Sequence, residues 1–344
     1  MRVRVDLGER SYDVEIAAGA RRLVADVIAA RAPRARAAAL VTSPALVDQP
    51  WFDLDPGLPV TRVVVPDGEA AKTPAVLAEV LEQFAAGALS RDDVVVSVGG
   101  GALSDLAGFA AAVYLRGVAV VHVPTTLVAQ VDAAIGGKTG VDLRAGKNLM
   151  GAFHQPIGVL CDTETLATLP ERERRAGLGE VAKCWLLVGR DAPGLASATL
   201  EDMMAVALGL KARAVSADEH DAGPRALLNY GHTLAHALET YWSARDPQRL
   251  RHGEAVAIGV AFAARLARAL GRVDAATVEG HDAVLGALGL VTAPPRGPAP
   301  EELVEIMRRD KKAHHDLTFV LAGPEGFEVV AGVDPATVVA VLER

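Results

Sequence analysis

Two histidines four residues apart offer the clearest chemistry in the sequence. His232 and His236 lie in a stretch that favours helix, so we expect them on one helix face, one turn apart. Neutral imidazole is the commonest protein ligand of zinc-like metals, and Glu180 and His252 add ligand groups from two other segments. A carboxylate and two histidines would hold a metal and leave coordination positions open, as a catalytic site requires. The alternative is that both histidines are ordinary surface or core residues of a helix.

Several groups suited to binding anions accompany these candidate ligands. Arg225 and Asn229 are four residues apart and could hold a carboxylate or a phosphate beside a metal. Lys138 and Lys147 each follow a glycine, which lets the backbone approach an anion closely. The segment around Lys138 resembles the end of a Walker P-loop, but Asp132 stands where that motif needs a glycine. We therefore exclude a P-loop nucleoside triphosphatase.

A strand, a glycine turn and an apolar helix predict a second site. The buried strand at 92–98 runs into Gly99-Gly100-Gly101, and a helix N-terminus after such a turn can meet a phosphate or pyrophosphate. The next strand, at 117–123, is followed by the hydroxyls of Thr125-Thr126, where an open α/β sheet binds ligands. Because the spacing is not Gly-x-Gly-x-x-Gly, an ordinary tight turn is the alternative.

The elements that position these residues change character near residue 170. Before it, hydrophobic patterning predicts strands and three helices, and after it mostly helices, so we expect an α/β protein of two domains with a cleft between them. In the first half we predict a hairpin within 1–16, strands at 37–42, 61–65, 92–98, 117–123 and 159–162, and helices at 20–32, at 73–88 and after the glycine turn. In the second half we predict helices at 174–187, 200–216, 231–243, 252–270, 275–288, 300–310 and 334–343, and a hairpin at 317–330.

Length, charge and cysteine content narrow the class of protein. At 344 residues the chain is long for one core, which favours two domains. The net charge of −8 argues against a nucleic-acid partner, and no apolar run is long enough to span a membrane. The N-terminus lacks an apolar signal core, and Cys161 and Cys184 do not make a disulfide framework. We therefore expect a cytoplasmic protein that acts on a small molecule.

Motifs spread over nearly the whole chain strengthen this interpretation. In chain order they are Gly99-Gly100-Gly101 with Asp105, Tyr114 to Gly117, Pro124-Thr125-Thr126, Asp132 with Gly136 to Gly140, Gly146 to Pro156, Leu169-Pro170, Glu180 to Lys183, Arg225 with Asn229, Gly231 to His236, His252-Gly253-Glu254 and Asp310-Lys311-Lys312. Together they resemble the 3-dehydroquinate synthase family of sugar phosphate cyclases. The resemblance implies an N-terminal Rossmann-like NAD-binding domain at 1–170, a mainly α-helical metal- and substrate-binding domain at 171–344, and assembly as a homodimer.

The resemblance also implies the cofactors, the reaction and the site residues. It implies bound NAD, a divalent metal (zinc or cobalt), and conversion of a seven-carbon keto-acid phosphate (DAHP) to 3-dehydroquinate with elimination of phosphate, which is a carbon–oxygen lyase reaction. The implied metal ligands are Glu180, His232 and His252. The implied NAD-binding residues are Asp67, Gly68, Glu69, Lys72, Gly99, Gly100, Gly101, Asp105, Thr125, Thr126, Lys138, Lys147, Thr165, Thr168 and Leu169. The implied substrate and catalytic residues are Asp132, Lys138, Asn148, Lys183, Lys211, Asp221, Arg225, Asn229, His236 and Lys312.

Some of these residues have more specific implied roles. Arg225 and Lys211 would meet the carboxylate of the substrate, and Arg116 would reach into the site of the partner subunit. The phosphate would be met by Lys138, Asn148, His236 and Lys312.

Two departures from the family pattern leave the substrate open. Asp221 stands where the family usually has a glutamate, and the segment between Lys183 and Lys211 is shorter than usual. With Gly223-Pro224-Arg225, Gly177 to Glu180 and Phe319 to Pro324, the chain looks closer to amino-dehydroquinate synthases, which take an amino-substituted substrate in aminohydroxybenzoate pathways. A glycerol-dehydrogenase-like metal oxidoreductase is a more distant alternative, as is a catalytically silent NAD-binding protein.

Overall fold

The computed structural model describes residues 1–221, 223–309 and 316–343, which form two compact units. The first unit contains Met1–Pro170 and Lys211–His220, and the second contains Glu171–Leu210 and Asp221–Arg344. The division into an NAD-binding domain at 1–170 and a metal- and substrate-binding domain at 171–344 stays a prediction. None of the helices described is long and apolar enough to cross a membrane.

The first unit is built on a mostly parallel sheet. Its strands are β1 Arg2–Val5, β2 Tyr12–Ala17, β3 Ala38–Thr42, β4 Val60–Val64, β5 Val94–Gly99, β6 Ala119–Pro124, β7 Lys138–Leu143, β8 Gly146–Phe153 and β9 Gly158–Asp162. Seven of them form one sheet in the order β1-β2-β9-β6-β5-β3-β4, in which only the β1–β2 pair is antiparallel. This arrangement confirms the predicted α/β fold class.

Helices cover both faces of this sheet, so its central strands are buried throughout. The helices of this part of the chain are α1 Val24–Arg31, α2 Pro44–Val47, α3 Pro74–Ala86 and α4 Gly101–Val113. Val24 and Ile28 belong to the core on one face, and Phe84, Leu106 and Ala110 to the core on the other. Burial on both faces explains why these strands are rich in valine, alanine and leucine.

A hairpin of β7 and β8 lies outside the seven-stranded sheet of this unit and was not predicted. The two strands pair antiparallel, with Gly140 opposite Gly151. A Cβ at Gly151 would lie 2.1 Å from the carbonyl oxygen of Thr139, so the strands approach closely where side chains are absent. Because glycine weakens strand patterning, the sequence here indicated only anion-binding turns. The short helix α2 was missed as well.

The second unit is mainly helical, as expected. Its helices are α5 Glu171–Leu187, α6 Ala192–Ser197, α7 Leu200–Ala217, α8 His232–Ser243, α9 His252–Ala269, α10 Ala275–Ala287, α11 Pro300–Arg309 and α12 Pro335–Leu342, and its hairpin is β10 Phe319–Gly323 with β11 Gly326–Val330. The last turns of α7, from Lys211, belong to the first unit. Of these elements only α6, six residues long, was not predicted. The core helix is α9, in which thirteen of eighteen residues are buried.

Candidate active site

Close contacts at glycines bring three helices of the second unit together. A Cβ at Gly179 of α5 would lie 2.0 Å from the carbonyl oxygen of Gly253 in α9, and one at Gly253 would lie 1.7 Å from that of Ala176. A Cβ at Gly259 of α9 would lie 1.9 Å from the carbonyl oxygen of Gly231, which precedes α8. Only residues without a Cβ permit such backbone contact.

Each of these contacts stands next to a predicted metal ligand. Glu180 follows Gly179, His232 follows Gly231 and His252 precedes Gly253. Gly231 adopts φ +78°, a left-handed conformation that glycine reaches without strain. Helix α8 begins at the next residue, His232. The close helix contacts therefore place the three side chains around one point.

The ligand atoms of Glu180, His232 and His252 have the spacing of a metal site. Oε1 of Glu180 lies 3.1 Å from Nε2 of His252 and 3.4 Å from Nε2 of His232, and the three ligand atoms all lie within 4.8 Å of one another. Tetrahedral zinc bonds of about 2.0–2.1 Å place neighbouring ligand atoms about 3.3–3.4 Å apart. Three protein ligands at this spacing could hold a divalent metal and leave a coordination position open.

The outer nitrogen of each histidine also has a partner. Nδ1 of His232 lies 3.2 Å from the carbonyl oxygen of Tyr230, and Nδ1 of His252 lies 3.2 Å from Oε2 of Glu239. When Nδ1–H donates to these acceptors, Nε2 is left with its lone pair, which is the form that binds metals. Glu239 was not among the predicted site residues. It lies seven residues after His232 on α8, a spacing that could have indicated a shared helix face.

The charges around Glu180 favour its ionised form. Burial alone would raise its pKa, but the Lys183 ammonium, 2.5 Å from Oε2, and the imidazoles of His232 and His252 hold the pKa well below its usual range. Burial lowers the pKa of His232 to about 4, which keeps this ring neutral. Burial also opposes protonation of His252, yet the carboxylates of Glu239 and Glu180 raise its pKa to about 10. Metal binding would therefore displace a proton from His252.

His236 lies beside this group but does not belong to it. Its ring is perpendicular to that of His232, with the ring centroids 5.4 Å apart. Among the described residues, the group that could hold a metal is Glu180, His232 and His252. Arg225 is buried and Asn229 is half-buried, both in the turn before Gly231. Lys312 lies outside the described residues.

Five of the predicted cofactor residues lie at the carboxyl ends of β5 and β6. Gly99 ends β5, and its carbonyl oxygen accepts a hydrogen bond from the N–H of Thr125, 2.9 Å away. A Cβ at Gly100 would lie 3.1 Å from Cγ2 of Thr126, and α4 begins at Gly101. This glycine turn therefore places the positive end of α4 at the sheet edge, where an anion can bind.

A buried lysine joins two other predicted residues in the same unit. Nζ of Lys72 lies 2.7 Å from Oδ2 of Asp105 and 2.6 Å from Oδ1 of Asn148. Asp142 supports this group, because its N–H donates to the carbonyl of Lys72 and its Oδ1 accepts from the N–H of Asn148. Burial raises the pKa of Asp105 to about 6, although the ion pair with Lys72 opposes the shift.

The other predicted residues of this unit have varied surroundings. Nζ of Lys211 lies 2.5 Å from Oδ1 of Asp132. Thr165 accepts a hydrogen bond from Gln130, and Thr168 accepts one from Trp51. The exposed positions are Asp67, Gly68, Glu69, Arg116, Lys138, Lys147 and Thr168, while Leu169 is half-buried. Asp221, in the second unit, adopts φ +57°.

Comparisons with known proteins agree with these observations. A family model described as the 3-dehydroquinate synthase N-terminal domain matches residues 62–176, and one described as the C-terminal domain matches residues 177–313. A protein of Amycolatopsis mediterranei (strain S699) named "Putative aminodehydroquinate synthase" is 49% identical over 344 residues, covering 99% of this chain and 94% of that protein. A 3-dehydroquinate synthase of Nocardia farcinica (strain IFM 10152) is 45% identical over 302 residues, covering 83% and 79%.

Solved structures share the fold. A 2-deoxy-scyllo-inosose synthase complexed with carbaglucose-6-phosphate, NAD+ and Co2+ has a TM-score of 0.86 at 23% identity and covers 99% of both chains. A 2-epi-5-epi-valiolone synthase from Streptomyces hygroscopicus subsp. jinggangensis 5008, with NAD+ and Zn2+ bound, has a TM-score of 0.80 at 27% identity and covers 98% of this chain and 97% of that one. Both family models and the full-length relative lead to one conclusion: the chain is an enzyme that belongs to the 3-dehydroquinate synthase family.

Proposed function

We propose that this enzyme is a phosphate-eliminating cyclase that binds NAD and a divalent metal, zinc or cobalt. The observation that carries the proposal is the convergence of Glu180, His232 and His252 at metal-ligand spacing in a member of this family. The 2-epi-5-epi-valiolone synthase with NAD+ and Zn2+ bound supports the choice of cofactors. The fold is shared with glycerol dehydrogenases, but at identities of 15–17%. The oxidoreductase alternative is therefore less well supported.

The residues of the chain prepare the site for these groups. When bound, NAD would supply reversible oxidation of a ring hydroxyl, and the metal would act as a Lewis acid. Glu180, His232 and His252 would hold the metal. Lys183 forms an ion pair with the second carboxylate oxygen of Glu180. The glycine turn before α4 would bind the pyrophosphate of NAD through backbone N–H groups and the helix dipole. Lys72 would bring a positive charge to the same unit.

We propose a seven-carbon keto-acid phosphate as the substrate. The first candidate reaction converts DAHP to 3-dehydroquinate with loss of phosphate, and the 45% identical 3-dehydroquinate synthase of Nocardia farcinica supports it. The second candidate is the amino-substituted analogue, and the 49% identity, over 99% of this chain, to the protein named "Putative aminodehydroquinate synthase" favours it. The predicted substrate residues keep their proposed roles, with Arg225 and Lys211 assigned to the carboxylate. Lys138, Asn148, His236 and Lys312 are assigned to the phosphate.

One assay separates the reaction classes. The purified enzyme, supplied with NAD and Zn2+ or Co2+, should release inorganic phosphate from at least one of the two keto-acid phosphates without net formation of NADH. Treatment with a chelator should abolish phosphate release, and restoring the metal should recover it. Steady NADH production on a simple polyol, with no phosphate released from either substrate, would refute the proposal.

We further propose a homodimer in which Arg116 of one subunit serves the site of the other. Arg116 is exposed, in a turn directly after α4. It adopts φ +68°, and Leu115 before it adopts φ +49°, so two residues in succession adopt a conformation that side chains disfavour. Such strain is often retained where a side chain must be aimed at a ligand.

A further inference from the structure

We propose that Glu239 is a positioning residue of the metal site. Its carboxylate accepts the Nδ1–H of His252 and thereby directs Nε2 of the ring toward Glu180 and His232. This inference rests on the proposed function, because it assumes that Glu180, His232 and His252 bind the metal. Glu239 would not contact the metal itself, but it would strengthen metal binding through His252.

The position of His252 explains why it needs such a partner. It is the first residue of α9, and its side chain is 35% exposed, compared with 11% for His232 and 1% for Glu180. Packing therefore restrains His252 least among the three ligands. A hydrogen bond from Nδ1 to Oε2 of Glu239, 3.2 Å away, supplies the missing restraint. Such outer partners fix the orientation of metal-binding histidines.

Two contacts between the same helices set the place of Glu239. Helices α8 and α9 meet at Gly231 and Gly259, where a Cβ on Gly259 would lie 1.9 Å from the carbonyl oxygen of Gly231. They meet again where Glu239 of α8 reaches His252 of α9. Because the glycine contact leaves little freedom for the helices to slide, the carboxylate is held opposite Nδ1.

The geometry distinguishes this role from that of a fourth ligand. The two nitrogens of an imidazole point away from each other, so a carboxylate bound at Nδ1 is directed away from the metal that Nε2 faces. His252 has Glu239 at Nδ1 and Glu180 at Nε2, at 3.2 Å and 3.1 Å. Glu239 therefore acts on the metal through His252.

The negative charge of Glu239 also strengthens metal binding by His252. Lys183 forms an ion pair with Glu180 and offsets the charge of the only carboxylate among the proposed ligands. Glu239 brings another negative charge next to His252, whereas the corresponding partner of His232 is the neutral carbonyl of Tyr230. Hydrogen bonds to an ionised acceptor are roughly twice as strong as neutral ones, so His252 becomes the more basic ligand.

The test measures Co2+ affinity of the full-length metal-free enzyme by competition with a coloured chelator, together with the visible absorption spectrum of the bound cobalt. Glu239→Ala should weaken Co2+ binding by about 10–100-fold and alter the cobalt spectrum. Glu239→Gln should cause a smaller loss, because the amide oxygen can still accept a hydrogen bond. The matched control is Glu279→Gln, an exposed glutamate of α10, which should bind Co2+ like the wild type.

The outcomes separate this inference from the proposed function. The Tm of each metal-free variant shows whether it folds. If Glu239→Ala does not fold, the Co2+ affinity of Glu239→Gln still tests the positioning role. Co2+ affinity and spectrum in a folded Glu239 variant that match the wild type would overturn the positioning role and leave the proposed metal site intact. Failure of the wild type itself to bind Co2+ would instead refute the proposed site.

Discussion

Removing one histidine at a time should reveal which of them binds the metal. His252→Ala deletes an Nε2 atom that lies 3.1 Å from Oε1 of Glu180, whereas His236→Ala deletes a ring outside the converging group. Structural zinc sites with four protein ligands bind with about 10–16 kcal/mol, or about 2.5–4 kcal/mol for each ligand. His252→Ala should therefore raise the Kd for Zn2+ or Co2+ roughly 10²–10³-fold. His236→Ala should leave the Kd nearly unchanged.

The assay is a competition titration with a chromophoric chelator, combined with measurement of metal content after dialysis. Because the side chain of His252 is 35% exposed, its loss should lower the Tm of the metal-free protein by only a few degrees. His236→Ala should lose catalytic rate while it retains metal, since its proposed partner is the phosphate of the substrate. If His236→Ala lost the metal and His252→Ala kept it, the two histidines of α8 would be the ligands and the present assignment would be wrong.

Four further predictions concern other parts of the chain. Gly253→Ala places a Cβ 1.7 Å from the carbonyl of Ala176, so it should destabilise the protein by about 1–3 kcal/mol or more and weaken Co2+ binding, as thermal unfolding and chelator competition would show. Burial raises the folded-state pKa of Asp105 to about 6, above its ordinary 3.8. The free energy of unfolding should therefore fall by at most about 3 kcal/mol as pH rises from about 4 to 6 and Asp105 loses its proton. Asp105→Asn should remove this slope from a plot of Tm against pH. Asp221→Glu should shift the ratio of kcat/KM for the oxygen and amino substrates in a competition assay, and an unchanged ratio would remove Asp221 from the discrimination. Mixing inactive Arg116→Ala and His252→Ala subunits should restore about a quarter of wild-type activity if Arg116 acts across a homodimer, and no recovery would argue that it acts within its own subunit.

Local patterning predicted most of the fold because its signals lie within short windows. The strands β3, β5, β6 and β9 are mostly apolar, as burial on both faces favours. The helices of the second half carry their own periodicity, and the predicted helix at 231–243 is observed as α8. The β7–β8 hairpin was not predicted because its pairing depends on the close approach of Gly140 and Gly151, which leaves no side-chain alternation to detect.

The sequence by itself determined the types of ligand available and the family to which the chain belongs. The family resemblance implied Glu180, His232 and His252 as the ligands, but residue spacing did not determine which of the histidines converge, because His232 and His236 are neighbours along α8 while His252 lies on another helix. That choice was made by the glycine contacts of α5 and α8 with α9, which bring Glu180 and His252 to His232. The partnership of Glu239 with His252 likewise joins residues 13 positions apart on separate helices. Helix periodicity acts over a few residues, whereas the packing of one helix on another decides which faces meet, and only the tertiary structure contains that information.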